Sequence, residues 1–141
     1  MKAISLWQPW ATLVVVGAKV YETRSWSTKP GLLAVHAAKR FDKLQREICR
    51  DEPFREALGW AGYSIDTLPL GALVGVVKVL DVRQTGAVLD SLSRKELAFG
   101  NYGPGRYAWK LEVVKCFQKP IPMAGMQWLW EVADDLLMRF D

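Results

Sequence analysis

The chain has 141 residues, half of them hydrophobic and 24% charged, with a net charge of +4 and a pI of about 9.2. A chain of this length supports one core that buries about 70% of the surface its unfolded form exposes. A single domain over residues 1–141 is therefore expected, and the composition is that of a globular rather than a disordered protein. No apolar run approaches the roughly 20 residues of a membrane helix, and Met1-Lys2-Ala3 leads into no signal-like segment, so the expected setting is cytoplasmic, with no membrane partner.

The opening segment Ser5-Leu6-Trp7-Gln8-Pro9-Trp10 brackets a Gln-Pro turn with two tryptophans. Pro9 suits a first helical turn and Gly17 the left-handed residue that closes a helix. A short buried helix is expected from Pro9 to Val16, with strand as the alternative for Val14-Val15-Val16. Val20, Tyr21 and Thr23 favour a strand from Val20 to Trp26, whose period of two places Glu22 and Arg24 on one face. Lys19 then sits at its mouth.

Ser27-Thr28-Lys29-Pro30-Gly31 reads as a turn into a buried strand over Leu32 to Ala37. Phe41, Leu44 and Ile48 recur at helical spacing, predicting a helix over Asp42 to Leu58 that Pro53 interrupts. Residues 59–69 read as an irregular flap over the site. The apolar run from Gly71 to Val82 fits a barrel wall, and Ser93 and Glu96 have the spacing of a capping box. Phe99 to Gly105 is a glycine-rich loop that presents Tyr102; without a following Lys-Ser/Thr and helix it is no phosphate-binding P-loop. Leu136, Leu137, Met138 and Phe140, set among acids, predict a short amphipathic helix at the end of the chain.

The pattern Gly17-x-Lys19-x-x-Glu22-x-Arg24, with Leu6-Trp7-Gln8-Pro9-Trp10 before it, resembles the ASCH family in its bacterial and phage form. Gly105-Arg106-Tyr107-Ala108-Trp109-Lys110-Leu111 resembles the penultimate strand of that family. Pro120-Ile121-Pro122 with Gly125-Met126-Gln127-Trp128-Leu129-Trp130 resembles its closing strand. The resemblance implies an α+β fold, a PUA-like β-barrel of five to six strands with flanking short helices. It also implies a cleft for RNA, another single-stranded nucleic acid or a modified nucleoside; no cofactor is expected. Some relatives resemble amidohydrolases acting on N4-acetylcytidine through the signature lysine, a threonine three residues on and a separate glutamate; ribonuclease activity is a further implication. Here Glu22 occupies the threonine's place, and Glu96 is a candidate for the separate acid by chain order.

Lys19, Glu22 and Arg24 are the candidate catalytic set, Glu22 either activating water or forming a structural ion pair. Nucleic-acid contacts are expected from Trp7, Gln8, Pro9, Trp10, Lys19, Arg24, Ser25, Trp26, His36, Lys39 and Tyr102. Exposed aromatic faces can stack on a base, a role that Trp7 and Trp26 share evenly with packing, whereas Trp10 leans to the core. Trp109 reads as core, and Trp128 and Trp130, on one strand face, as barrel interior. His36, at a strand end beside Lys39 and Arg40, is either a satisfied core imidazole or a site residue. Cys49 and Cys116 read as reduced, buried small hydrophobes, and no metal site is expected. Residues 1–40 hold six basic residues against Glu22 alone, a positive half that favours phosphate-bearing ligands or is simply a solvated basic face.

Overall fold

The computed structural model describes residues 1–137. Six strands and four helices run in the order β1 (Lys2–Leu6), α1 (Trp10–Val15), β2 (Tyr21–Arg24), β3 (Gly31–Ala37), α2 (Lys43–Arg50), α3 (Phe54–Trp60), β4 (Ala72–Gln84), α4 (Arg94–Phe99), β5 (Tyr107–Pro122) and β6 (Leu129–Glu131). The strands form one mixed sheet ordered β2-β5-β4-β3-β1-β6, in which only β1 and β3 pair in parallel. Three register shifts between β4 and β5 bend these long strands, as bulges do, and the sheet curls into a half-barrel, the PUA-like architecture expected.

The helix α1 occupies the hollow of this sheet. Gln8 starts it: its Oε1 accepts the Thr12 N–H at 3.0 Å while its Nε2 donates to Thr12 Oγ1 at 2.8 Å, so the first turn is stitched before the helix can fray. Gly17, at φ +80°, ends it in the left-handed conformation that glycine adopts without steric cost. Val14 and Val15 face Leu33, Val35, Val77 and Trp109 on the sheet, and Leu13 faces the outer helices through Phe54, Leu58 and Phe99. Close seating depends on Gly75, where a Cβ would lie 2.4 Å from Lys115 O and 2.8 Å from Val15 Cγ1.

The helix expected over Asp42 to Leu58 is two helices, α2 and α3, divided at Pro53. Residues 59–69 do not cover the cleft described below. The helix α3 continues to Trp60, Leu68 is buried among the outer helices, and Pro69 O accepts Gln8 Nε2 at 2.9 Å. Ser93 Oγ accepts the Glu96 N–H at 3.0 Å, giving half of the expected capping box; the Glu96 side chain turns elsewhere. At the end of the chain a single turn, Asp134–Leu137, buries Leu136, and Met138 and Phe140 lie outside the described residues. Both thiols are free, Cys49 buried and Cys116 half-buried, and burial pushes both up in pKa.

Trp109 is fully buried and belongs to the core, as expected. Trp128 does not: it precedes β6 with φ +61° and is 64% exposed, so the period-two relation to Trp130 fails where the backbone leaves the extended region. Trp26, after β2, lies 5.0 Å from Trp109 and 5.2 Å from Trp128 between ring centroids. The two edges of the open sheet are thus bridged by indoles. Among the described residues, Trp109 Nε1 is the one buried side-chain polar atom without a partner. Trp109→Ala is expected to cost about 3–5 kcal/mol, whereas Trp109→Phe, which also removes the unsatisfied donor, should cost less than half as much; urea unfolding of the two variants checks the ranking.

Candidate functional site

A cleft of about 460 Å³ opens where α1, β2, α4 and the loop after α4 meet, with Trp7, Trp10, Lys19, Glu22, Arg24 and Arg106 among its lining. The alternation of β2 sets Glu22 and Arg24 side by side, and Arg24 Nε donates to Glu22 Oε2 at 2.8 Å. Arg24 Nη2 also donates to Ser5 O at 3.1 Å on β1. The guanidinium is therefore held by the edge strand β2 and by β1 across the open side of the sheet, with its remaining N–H groups available to the cleft.

Lys19 is nearly inaccessible, at 2% exposure. Its backbone N–H donates to Leu13 O at 3.0 Å in the turn closed by Gly17, which points the side chain inward. The ammonium donates to Tyr21 O and lies 3.9 Å from Glu96 Oε2. Gly100 lies against it and against the Tyr102 ring: a Cβ there would be in ordinary contact with Lys19 Nζ at 3.5 Å but tight on Tyr102 Cε2 at 3.1 Å. Burial lowers the pKa of Lys19; the Glu22 and Glu96 carboxylates oppose the shift and Arg24 adds to it.

Behind the lysine, Glu96 accepts Val20 N–H at 2.9 Å and Tyr102 O–H at 2.8 Å. Tyr102 is thereby drawn into the interior, 7% exposed, with its phenol pushed above the usual range by burial and by the Glu96 carboxylate. The glycine-rich loop does not present Tyr102 to a ligand; it presents Gly100 and Asn101 instead. Trp10 is fixed at the cleft wall, Nε1 donating to Phe99 O at 2.6 Å and the ring meeting Phe54 edge-on. Trp7, 47% exposed, forms the lip.

Of the residues singled out in the sequence, Trp7, Trp10, Lys19, Glu22 and Arg24 share this cleft. Gln8 and Pro9 are buried, and Gln8 is committed to Thr12 and Pro69. Ser25 is exposed outside the cleft lining. Trp26 faces a neighbouring hollow. His36 is a buried imidazole bonded to Ser5 Oγ at 2.8 Å and Met123 O at 2.7 Å, in another hollow that it shares with the exposed Lys39. Arg106 was not anticipated; Nε donates to Asn101 O at 3.1 Å and Nη2 to Thr23 O at 3.0 Å. Its position just after a glycine-rich loop was the available signal, since such loops leave carbonyls that a guanidinium can fasten. Among the described residues no group of three His, Cys, Asp or Glu side chains could hold a metal, and no helix is long and apolar enough to cross a membrane.

The family model of the ASCH domain matches residues 4–121. Similar solved structures include the ASCH protein from Zymomonas mobilis, with TM-score 0.57 and 15% identity over 98% of this chain and 90% of that chain. A serine-to-alanine variant of that protein gives TM-score 0.58 and 15% identity over 98% and 92% of the two chains. A tyrosine-to-phenylalanine variant gives TM-score 0.59 and 14% identity over 98% and 94%. No curated protein sequence matches the chain.

Proposed function

The chain belongs to the ASCH domain family, and from that premise we propose that the cleft binds one base of single-stranded RNA or a modified nucleoside. The observation that carries this reading is the gathering of Lys19, Arg24 and Arg106 with Glu22 beneath the half-exposed Trp7 in a cavity of about 460 Å³, a volume within the range of small-ligand sites. Trp7 supplies an aromatic face for stacking. Glu22, acceptor-only when ionised, receives N–H groups from a base edge, and the two guanidiniums donate to carbonyl or phosphate oxygens. A lysine kept for solubility stays in water; Lys19 is 2% exposed, and a titratable group desolvated beside a cleft with specific charge partners is a candidate functional group.

Hydrolysis of N4-acetylcytidine is the second reading, favoured by the lowered proton affinity of Lys19 beside Glu22, since a neutral amine can act as a base. Binding is preferred because no hydroxyl stands at position 22, where the deacetylase-like pattern has its nucleophile.

Titration with nucleoside monophosphates and a single-stranded RNA, followed by tryptophan fluorescence, tests the proposal. Arg24→Ala is expected to weaken binding by roughly ten- to a hundredfold, the worth of a hydrogen bond to a charged group. A folded Arg24→Ala protein that keeps the affinity of the wild type overturns the assignment of this cleft.

A further inference from the structure

The cleft does not end at Arg24. The other side of this residue lines a hollow of about 370 Å³ with Trp26, Met126 and Trp128. That hollow shares Ser5, Met126 and Gln127 with a third, of about 670 Å³, lined by His36, Lys39 and Arg40. Arg40 returns to the first cleft, its guanidinium carbon 5.7 Å from the centroid of the Trp7 ring while Nε is paired with Asp42. The charged residues lining the three hollows are Lys19, Arg24, Lys39, Arg40 and Arg106 against the single carboxylate of Glu22. Such a surface complements a polyanion.

It also displays apolar side chains to solvent. Trp128 is 64% exposed and Met126 62%. Trp128 is the one non-glycine residue with positive φ among the described residues; a bulky residue in that region is strained, and strain of this kind gathers at functional sites. The loop that carries both side chains is pinned. His36 bonds Met123 O at 2.7 Å, and a Cβ on Gly125 would lie 2.4 Å from Ser5 Oγ and 2.6 Å from His36 Cε1. Exposed aromatics on a fixed backbone beside a row of cations form the arrangement that holds single-stranded nucleic acid.

On the basis of the cleft assignment above, we propose that the ligand is a single-stranded oligonucleotide longer than one residue. One base enters the Lys19–Glu22 cleft, a flanking base stacks on Trp128 over Met126, and Lys39 and Arg40 neutralise phosphates of the continuing strand.

The test compares a fluorescein-labelled RNA hexamer with a nucleoside monophosphate, each against the wild type, Trp128→Ala, Lys39→Glu and Arg24→Ala, with thermal melts of every variant. The hexamer should bind at least tenfold more tightly than the monophosphate. Trp128→Ala should remove about tenfold of hexamer affinity, and Lys39→Glu should lower the salt slope by about 0.7, the value for one phosphate of a single strand. Both variants should leave the monophosphate unchanged. Lys39 is exposed, so its variant carries the test if Trp128→Ala melts early through loss of the Trp26 contact. Equal affinity for hexamer and monophosphate, or hexamer binding untouched by Lys39→Glu, overturns the track while the cleft assignment stands. Binding of neither ligand overturns the cleft assignment and the track together. A duplex of the same length bound as tightly as the hexamer overturns stacking on Trp128, and no binding of any nucleic acid leaves the surface to a protein partner.

Discussion

Glu96→Ala is expected to lower the free energy of unfolding by about 3–5 kcal/mol, the range for removing one partner of a buried charged network. Three groups depend on this carboxylate: Val20 N–H at 2.9 Å, Tyr102 O–H at 2.8 Å and the Lys19 ammonium at 3.9 Å. With alanine in place, two donors lose their acceptor and a nearly inaccessible cation loses a counter-charge. Glu96→Gln keeps one oxygen for Val20, and Tyr102 can accept from the new amide, so the loss should fall to about 1 kcal/mol, near that of an ordinary hydrogen bond. Urea unfolding midpoints with unchanged slopes are the measurement. A Glu96→Ala protein within 1 kcal/mol of the wild type, by the same standard, would mean that water reaches Lys19 and that the interior network is not what holds it.

The importance of Glu96 also shows where sequence reasoning reaches its limit. The alternation of Glu22 and Arg24 was legible because a strand of four residues, Tyr21–Arg24, fixes it locally. The helix α1 was legible for the same reason: Gln8, Pro9 and Gly17 are all within reach of its ends. The burial of Lys19 was not, because it is made by Glu96 and Gly100, distant in sequence and brought to the lysine by the packing of α4 beside the cleft. Tyr102 was misplaced for a related reason. Its neighbours Gly100, Gly103 and Gly105 have the composition of an exposed loop, and only the carboxylate six residues earlier draws the phenol inward. For Trp128, alternation failed because the strand begins one residue later, and nothing in the local sequence marks a tryptophan as left-handed. Residues 59–69 look irregular, and they are so only after α3 ends at Trp60; Leu68 and the Pro69 carbonyl tie them to the interior rather than to the cleft.

Lys19→Met should separate stability from function. Methionine fills a similar volume with no charge to desolvate; because burial outweighs the carboxylates in lowering the Lys19 pKa, the charged lysine is a net cost to the fold, and in the variant Glu96 keeps its Val20 and Tyr102 donors. Its melting temperature is therefore expected to equal or exceed that of the wild type, while affinity for RNA falls by roughly ten- to a hundredfold, the share of a charged donor. Arginine is a poorer probe, since Gly100 and Tyr21 O already close around the ammonium. The sign of the pH dependence follows from the lowered pKa of Lys19. The unfolded lysine holds its proton up to about pH 10.4 and the folded one loses it earlier. The stability of the wild type should thus rise with pH between those two values, as the unfolded state binds the extra proton. The advantage of Lys19→Met should be largest below the folded pKa and shrink through that window. Under the proposed binding role, ligand affinity should move the other way, falling as the Lys19 ammonium is lost. If Lys19 were instead a base for N4-acetylcytidine, turnover would rise with pH across the same window and vanish in Lys19→Met and Glu22→Gln. Opposite slopes for affinity and turnover make one pH series, read by both assays, sufficient to decide between a reader of bases and a hydrolase.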